Sequence, residues 1–229
     1  MRAANNSTAG GTAKWGRPAW ILRHLFFLLV VRPVVLFGLG VSVRHRQRLP
    51  AAGPAIIVAN HNSHLDTLVL MTLFPQLMLD RLRPVAAADY FLSRRGLAWF
   101  ALTIVGIIPL AREIHGRGDP LAGCDAALGA GDILILFPEG SRGAPEQLGA
   151  FKSGIAHLAR RHPDVPVFPV FLHGLGKVLP KGELLPVPFF VDVFVGKAMR
   201  WTGDKASFMG ELDQRIHALA AERKFAAWE

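Results

Sequence analysis

Downstream of Pro50 the chain alternates between two hydrophobic periods. Short continuous apolar runs read as buried strands: "AIIVA" (55–59), "PVAAA" (84–88), "GIIPLA" (106–111), "DILILF" (132–137), "VPVFPVFL" (165–172) and "FFVDVFVG" (189–196). Between them lie segments of helical spacing. Thr67 to Leu73 continues one helix, and Asp119 and Pro120 open another that runs to Leu128 and is closed by Gly129 and Gly131. Ser153 to Arg161 turns Ile155, Leu158 and Ala159 inward, and Phe208, Leu212, Ile216 and Leu219 recur on one face of a C-terminal helix. Strands separated by helical crossovers predict an α/β fold, with a mostly parallel central sheet flanked by helices.

Upstream the pattern differs. Residues 1–13 are small and polar, without periodicity, and read as a disordered leader. The segment "WILRHLFFLLVVRPVVLFGLGVSV" (20–43) is as long as a membrane span but is interrupted by Arg23, Arg32 and Pro33. A charge near mid-membrane costs about 2.5–3.5 kcal/mol on insertion scales, and proline removes a helix hydrogen bond. Two short helices meeting near Pro33 fit this pattern, as a monotopic hairpin dipping into one leaflet; a single kinked span is the alternative. The expected division is therefore a leader (1–13), membrane-anchoring helices (14–44) and one α/β domain (45–229).

Charge placement sharpens this picture. The net charge is +9, yet eight Lys and Arg precede the first acidic residue, Asp66. Their neighbours are Leu, Phe and Val, so an anionic membrane surface is the partner expected for this arm, and no nucleic acid is expected. With 51% hydrophobic and only 19% charged residues, the chain suits lipid contact. The single cysteine, Cys124, excludes an internal disulfide and a multi-cysteine metal site, and its Ala-rich setting reads as a buried filler.

Three polar patches follow predicted strands, where open α/β sheets gather their working residues. The first is "NHNSHLD". Positions five apart diverge by about 140° on a continuous helix, so His61 pairs with Asp66 only from the strand-to-helix turn, with Asp66 in the first helical turn pointing back. A carboxylate on one ring nitrogen fixes the tautomer and leaves the other nitrogen to take a proton. The competing reading of Ser63-x-x-Asp66 is a capping box that only satisfies helix-start amides, and His64 reads as a packing or surface histidine. The second patch, after "GIIPL", carries Arg112, a planar fork suited to phosphate or else a solvated arginine. The third, "FPEGSRG", places Glu139 and Arg142 in a glycine-rich turn, as a ligand site or a structural ion pair.

Taken in order, "NHNSHLD", "GIIPLAR", "FPEGSR" and "VPVFPV", with "FKSGIAHLA" after the third, resemble the motifs of the glycerolipid acyltransferases of the 1-acylglycerol-3-phosphate acyltransferase type, over roughly Val43 to Val195. The resemblance implies that His61 is a general base oriented by Asp66, and that Arg112, Glu139, Gly140, Ser141 and Arg142 bind the acceptor. It further implies an acyl thioester, acyl-CoA or an acyl carrier protein, as co-substrate, with no other cofactor and no metal. The acceptor would be a lysophospholipid, most simply 1-acylglycerol-3-phosphate, worked on at the cytoplasmic face of a membrane. Ser141, where many members have Thr, and Pro109 and Leu110 depart from the family pattern and bear on which acceptor is used.

Two other functions compete. A non-catalytic lipid-binding protein would keep the motif without turnover, although every catalytic position of the family is filled here. A metallo-hydrolase would use His61, His64 and Asp66 as ligands, but two residues separate the histidines and Thr67 follows the aspartate, unlike the usual spacing. No Gly-x-Ser-x-Gly elbow is present, which argues against a serine hydrolase of the α/β type.

Overall fold

The computed structural model describes residues 16–91, 93–110, 119–140, 148–178 and 190–223. Its centre is a seven-stranded sheet built from β1 (Gly40–Arg44), β2 (Ala55–Ala59), β3 (Leu82–Ala87), β4 (Ile108–Leu110), β5 (Ile133–Leu136), β6 (Val167–His173) and β7 (Phe190–Val195), in the order β1-β7-β6-β2-β5-β3-β4. Five neighbours, β6-β2-β5-β3-β4, run parallel. β7 pairs antiparallel to β6 and parallel to β1, so one edge of the sheet runs the other way.

Both faces of the sheet are covered, which is why its strands read as unbroken apolar runs rather than alternating ones. Ala55, Ile57, Ile133 and Ile135 point to one face and pack with Phe27, Val31, Val69 and Leu70 from α1 (17–38) and α2 (Leu65–Thr72). Ile56, Val58 and Leu134 point to the other face. There they meet Leu128 of α4 (Ala122–Gly129), Ile155 and Leu158 of α5 (Gly154–Arg161), and Phe208, Leu212 and Ile216 of α6 (Lys205–Ala221). A further helix, α3 (95–105), is apolar and ends at Gly106, whose φ of +77° turns the chain into β4.

The N-terminal region differs from the expected hairpin. It is one helix from Arg17 to Gly38, long and apolar enough by length and composition to cross a membrane. It widens into π-turns at Phe27–Val31 and Val34–Gly38, on either side of Pro33. The wider turns pass the proline ring without breaking the helix, since Pro33 keeps helical dihedrals (φ −60°, ψ −44°). The expected anchor boundary at residue 44 also shifts: Gly40–Arg44 is not anchor but β1, paired with Phe190–Phe194.

The interrupting arginines turn inward instead of facing the apolar surroundings. Arg23 is fully buried and donates to the carbonyls of Ile104 and Leu79, each at 2.9 Å. Arg32 donates to Phe74 O at 2.6 Å and Gln76 Oε1 at 2.8 Å, and Trp20 Nε1 donates to Asp80 at 2.7 Å. One stripe of α1 is thus bolted to residues 74–82 and to α3. The opposite stripe leaves Ile21, Leu22, Leu25, Leu28, Leu29, Leu36 and Phe37 exposed.

Candidate active site

All five parallel strands end on the same side, and the site is built there. β2 runs out at Ala59, and the next side chain, Asn60, grips the adjacent strand. It donates to Leu172 O at 2.8 Å and accepts from Leu172 N–H at 2.7 Å. This two-bond clamp sets where the following turn begins. His61 lies in that turn and Asp66 at the second residue of α2, pointing back, so Nδ1 of His61 meets Asp66 Oδ2 at 2.8 Å.

The two readings of "SHLD" prove compatible. Besides the imidazole, Asp66 Oδ2 accepts the amides of Asn62 (2.6 Å) and Ser63 (2.8 Å), and Ser63 Oγ accepts from Leu65 N–H at 3.3 Å. One carboxylate oxygen therefore organises the helix start and orients the histidine at once. Burial drives the Asp66 carboxyl above the ordinary carboxylate range, while the imidazole and the two amides pull it back. Oδ1 is buried without a hydrogen-bond partner, so the donors are concentrated on the oxygen that faces His61.

One face of the imidazole stacks on Phe137, the first residue after β5, with ring centroids 4.2 Å apart and planes at 24°. Glu139 follows in the same turn. It is nearly buried, and its Oε1 accepts the His61 amide at 3.2 Å. Burial pushes the Glu139 carboxyl upward, opposed by that bond, by the His61 ring and by the amide of Gly149. This contact to the main chain of His61 is a role the motif alone does not disclose. Arg112, Ser141 and Arg142 lie outside the described residues.

His61 opens onto a cavity of about 1350 Å³. Among the described residues, its lining includes the apolar side chains of Leu68, Val85, Leu97, Phe100, Ile107 and Leu110, and also Gly140, Lys152, His157 and Arg160. His64 also faces the cavity, and its Nε2 lies 3.2 Å from the hydroxyl of Tyr90, with the two rings stacked. The histidines thus take separate partners, and among the described residues no three His, Cys, Asp or Glu side chains converge to hold a metal ion. Cys124 is buried on the inner face of α4, where burial and the nearby Asp125 and Asp119 push its thiol up to about 11.

Residues that sequence reasoning missed are Phe137, Asn60, Tyr90 and Lys152. Phe137 reads as the last residue of a strand, and the partners of Asn60 and Tyr90 are far away in the chain. Lys152 is visible only as part of "FKSG".

Known proteins resemble this chain in sequence and in fold. The 1-acyl-sn-glycerol-3-phosphate acyltransferase of Pseudomonas aeruginosa is 28% identical over 196 residues, spanning 82% of this chain and 70% of its own. A chloroplastic enzyme of that name from Arabidopsis thaliana and the alpha form from Mus musculus are each 31% identical over 62% and 63% of the chain. The match covers 38% and 49% of those two relatives' own lengths, under half of each. The crystal structure of the 1-acyl-sn-glycerophosphate acyltransferase PlsC from Thermotoga maritima shares the fold with a TM-score of 0.67 at 19% identity, over 91% of this chain and 88% of that one. A family model described as Acyltransferase matches residues 40–173, from the first strand to the end of β6 and through both the His61–Asp66 pair and the Glu139 turn: the chain belongs to the acyltransferase family.

Proposed function

We propose that the protein is a membrane-associated O-acyltransferase that moves a fatty acyl group from an acyl thioester to the hydroxyl of a lysophospholipid, most simply 1-acylglycerol-3-phosphate, giving phosphatidic acid. The observation that carries this reading is the 2.8 Å contact of His61 Nδ1 with Asp66, with His61 on the wall of a cavity of about 1350 Å³ whose lining includes many apolar side chains. With Nδ1–H donating to the carboxylate, Nε2 is unprotonated and available to a hydroxyl in the cavity.

A thioester is already activated, so no enzyme nucleophile is required. His61 Nε2 takes the acceptor's hydroxyl proton as its oxygen attacks the thioester carbonyl; Asp66 stabilises the imidazolium that forms. Collapse of the tetrahedral intermediate breaks the C–S bond, and the thiolate takes the proton back from His61. Acyl-CoA and an acyl carrier protein would both serve as the donor. The apolar cavity wall suits a fatty chain, and the exposed face of α1 supports docking in the leaflet where the lyso-lipid resides. Its inward-pointing arginines favour a helix lying at one membrane face over one that crosses, with the active site on the cytoplasmic side. Arg112, Ser141 and Arg142 are assigned to the acceptor on the family resemblance alone.

The test is direct. The purified protein, reconstituted in vesicles and given an acyl-CoA with a panel of lyso-lipids, should form the diacyl product of lysophosphatidate, identified by mass, with one thiol released per ester formed. Formation of product from another lyso-lipid only would reassign the acceptor. An intact protein that releases thiol without forming any ester would overturn acyl transfer.

A further inference from the structure

The turn after β5 holds a cation for which the scheme above has no task. Gly140 has φ +72°, a region that favours glycine. A Cβ placed there would lie 2.7 Å from Lys152 Nζ, 2.9 Å from its Cε and 3.0 Å from its Cδ. The Lys152 side chain therefore lies across the bare face of Gly140. Its main chain is tied to the same turn, since Lys152 N–H donates to Pro138 O at 2.8 Å. Glu139, between those two residues, holds the His61 amide. The main chain of Lys152 and the base are thus joined to the same turn, and His61, Gly140 and Lys152 line one cavity.

Attack on a thioester carbonyl puts negative charge on its oxygen, and catalysis needs donors aimed at that charge. Six amides around His61 already have acceptors. That of His61 donates to Glu139, those of Asn62 and Ser63 to Asp66, that of Leu65 to Ser63 Oγ, and those of Asp66 and Gly140 to Ser63 O and Phe137 O. Among the other described cations on the cavity, Arg161 is held by Asp119 at 2.5 Å and Asp125 at 2.6 Å, and Arg160 sits at the far end of α5.

Building on the acyl-transfer reading, we infer that Lys152 is a further catalytic residue, its ammonium held over Gly140 to stabilise the oxyanion of the tetrahedral intermediate. In that step the acceptor oxygen forms the new C–O bond and its proton passes to His61 Nε2. The carbonyl π pair moves onto the oxygen facing Lys152, then returns as the C–S bond breaks and the thiolate leaves. Gly140 then acts by leaving room for the lysine.

The experiment compares Lys152→Met, Gly140→Ala and the double variant with wild type, each as the full chain in vesicles with acyl-CoA and lysophosphatidate. Lys152→Met should lower kcat by about 10²–10³ and move the KM for lysophosphatidate by no more than about threefold. In the Gly140→Ala background, which displaces the lysine, the same substitution should cost about threefold or less. Unchanged kcat, a loss confined to KM, or fully additive effects would overturn the assignment; a KM loss would place the ammonium on the acceptor phosphate instead. If wild type forms no ester, the acyl-transfer reading itself fails, and this inference with it.

Discussion

Replacing Asp66 by asparagine separates what its charge does from what its shape does. The side-chain oxygen of the substituted asparagine would be pinned where Oδ2 now sits, because the amides of Asn62 and Ser63, at 2.6 and 2.8 Å, reject an NH₂ group there. His61 Nδ1–H keeps an acceptor and therefore its tautomer. What disappears is the negative charge beside the imidazolium. Two unit charges about 4 Å apart at an effective dielectric of about 20 interact by about 4 kcal/mol, which corresponds to about 10³ in rate. A flipped tautomer would cost about 10⁴. Stability should change far less. The new NH₂ enters the slot of Oδ1, which is buried and unpartnered, at a cost of about 1–3 kcal/mol, offset by removal of a buried charge.

The sign of the pH dependence follows from the raised Asp66 carboxyl. A folded value above the unfolded value of about 3.9 gives a stability contribution that is complete below that value and lost as pH rises through the folded one. The melting temperature of Asp66→Asn relative to wild type should thus be most favourable near neutrality and fall on acidification toward about pH 4. Initial rates of thiol release and thermal melts at several pH values measure both effects. Wild-type activity in this variant, or a loss of several kcal/mol at neutral pH, would refute the reasoning.

Other expectations follow from single contacts. Glu139→Ala should destabilise the fold by about 1–3 kcal/mol in urea titration, because the His61 amide loses its acceptor, whereas Glu139→Gln should restore most of that loss. Leu29→Asp with Phe37→Asp, at positions 65% and 89% exposed, should weaken co-sedimentation with vesicles at least about tenfold, since each side chain contributes up to about 1.5–3 kcal/mol when buried. Circular dichroism should be unchanged in that double variant. Cys124, with its thiol at about 11, should resist iodoacetamide at about pH 8 in the folded chain and react after denaturation, as mass spectrometry would show.

Much of the fold was legible because burial on both faces writes itself into the chain. "AIIVA" and "DILILF" have no other plausible home than a covered parallel sheet, and Phe208, Leu212, Ile216 and Leu219 mark one buried stripe. β1 was not legible. "GVSVR" follows an apolar helix without a break, and its exposed and half-buried positions alternate at a sheet edge whose partner, β7, lies far downstream in the chain. α3 was hidden by being apolar nearly all round, which leaves no period to detect. Pro33 misled because its cost assumes an α-helical ladder, and the π-turns relax it.

At the site, the local pair was readable from spacing, since His61 and Asp66 are five apart and only a strand-to-helix turn lets them meet. Contacts made across the sheet were not. Glu139 to the His61 amide, Phe137 against the imidazole and Asn60 against Leu172 depend on the strand order β6-β2-β5, which no local pattern specifies.

The central claim is that His61 takes the proton from the attacking hydroxyl. The rate of ester formation from acyl-CoA and lysophosphatidate in His61→Ala measures it most directly. A fall of about 10²–10⁴ with the far-ultraviolet circular dichroism of wild type is expected; transfer at the wild-type rate in that folded variant would contradict a general-base role for His61.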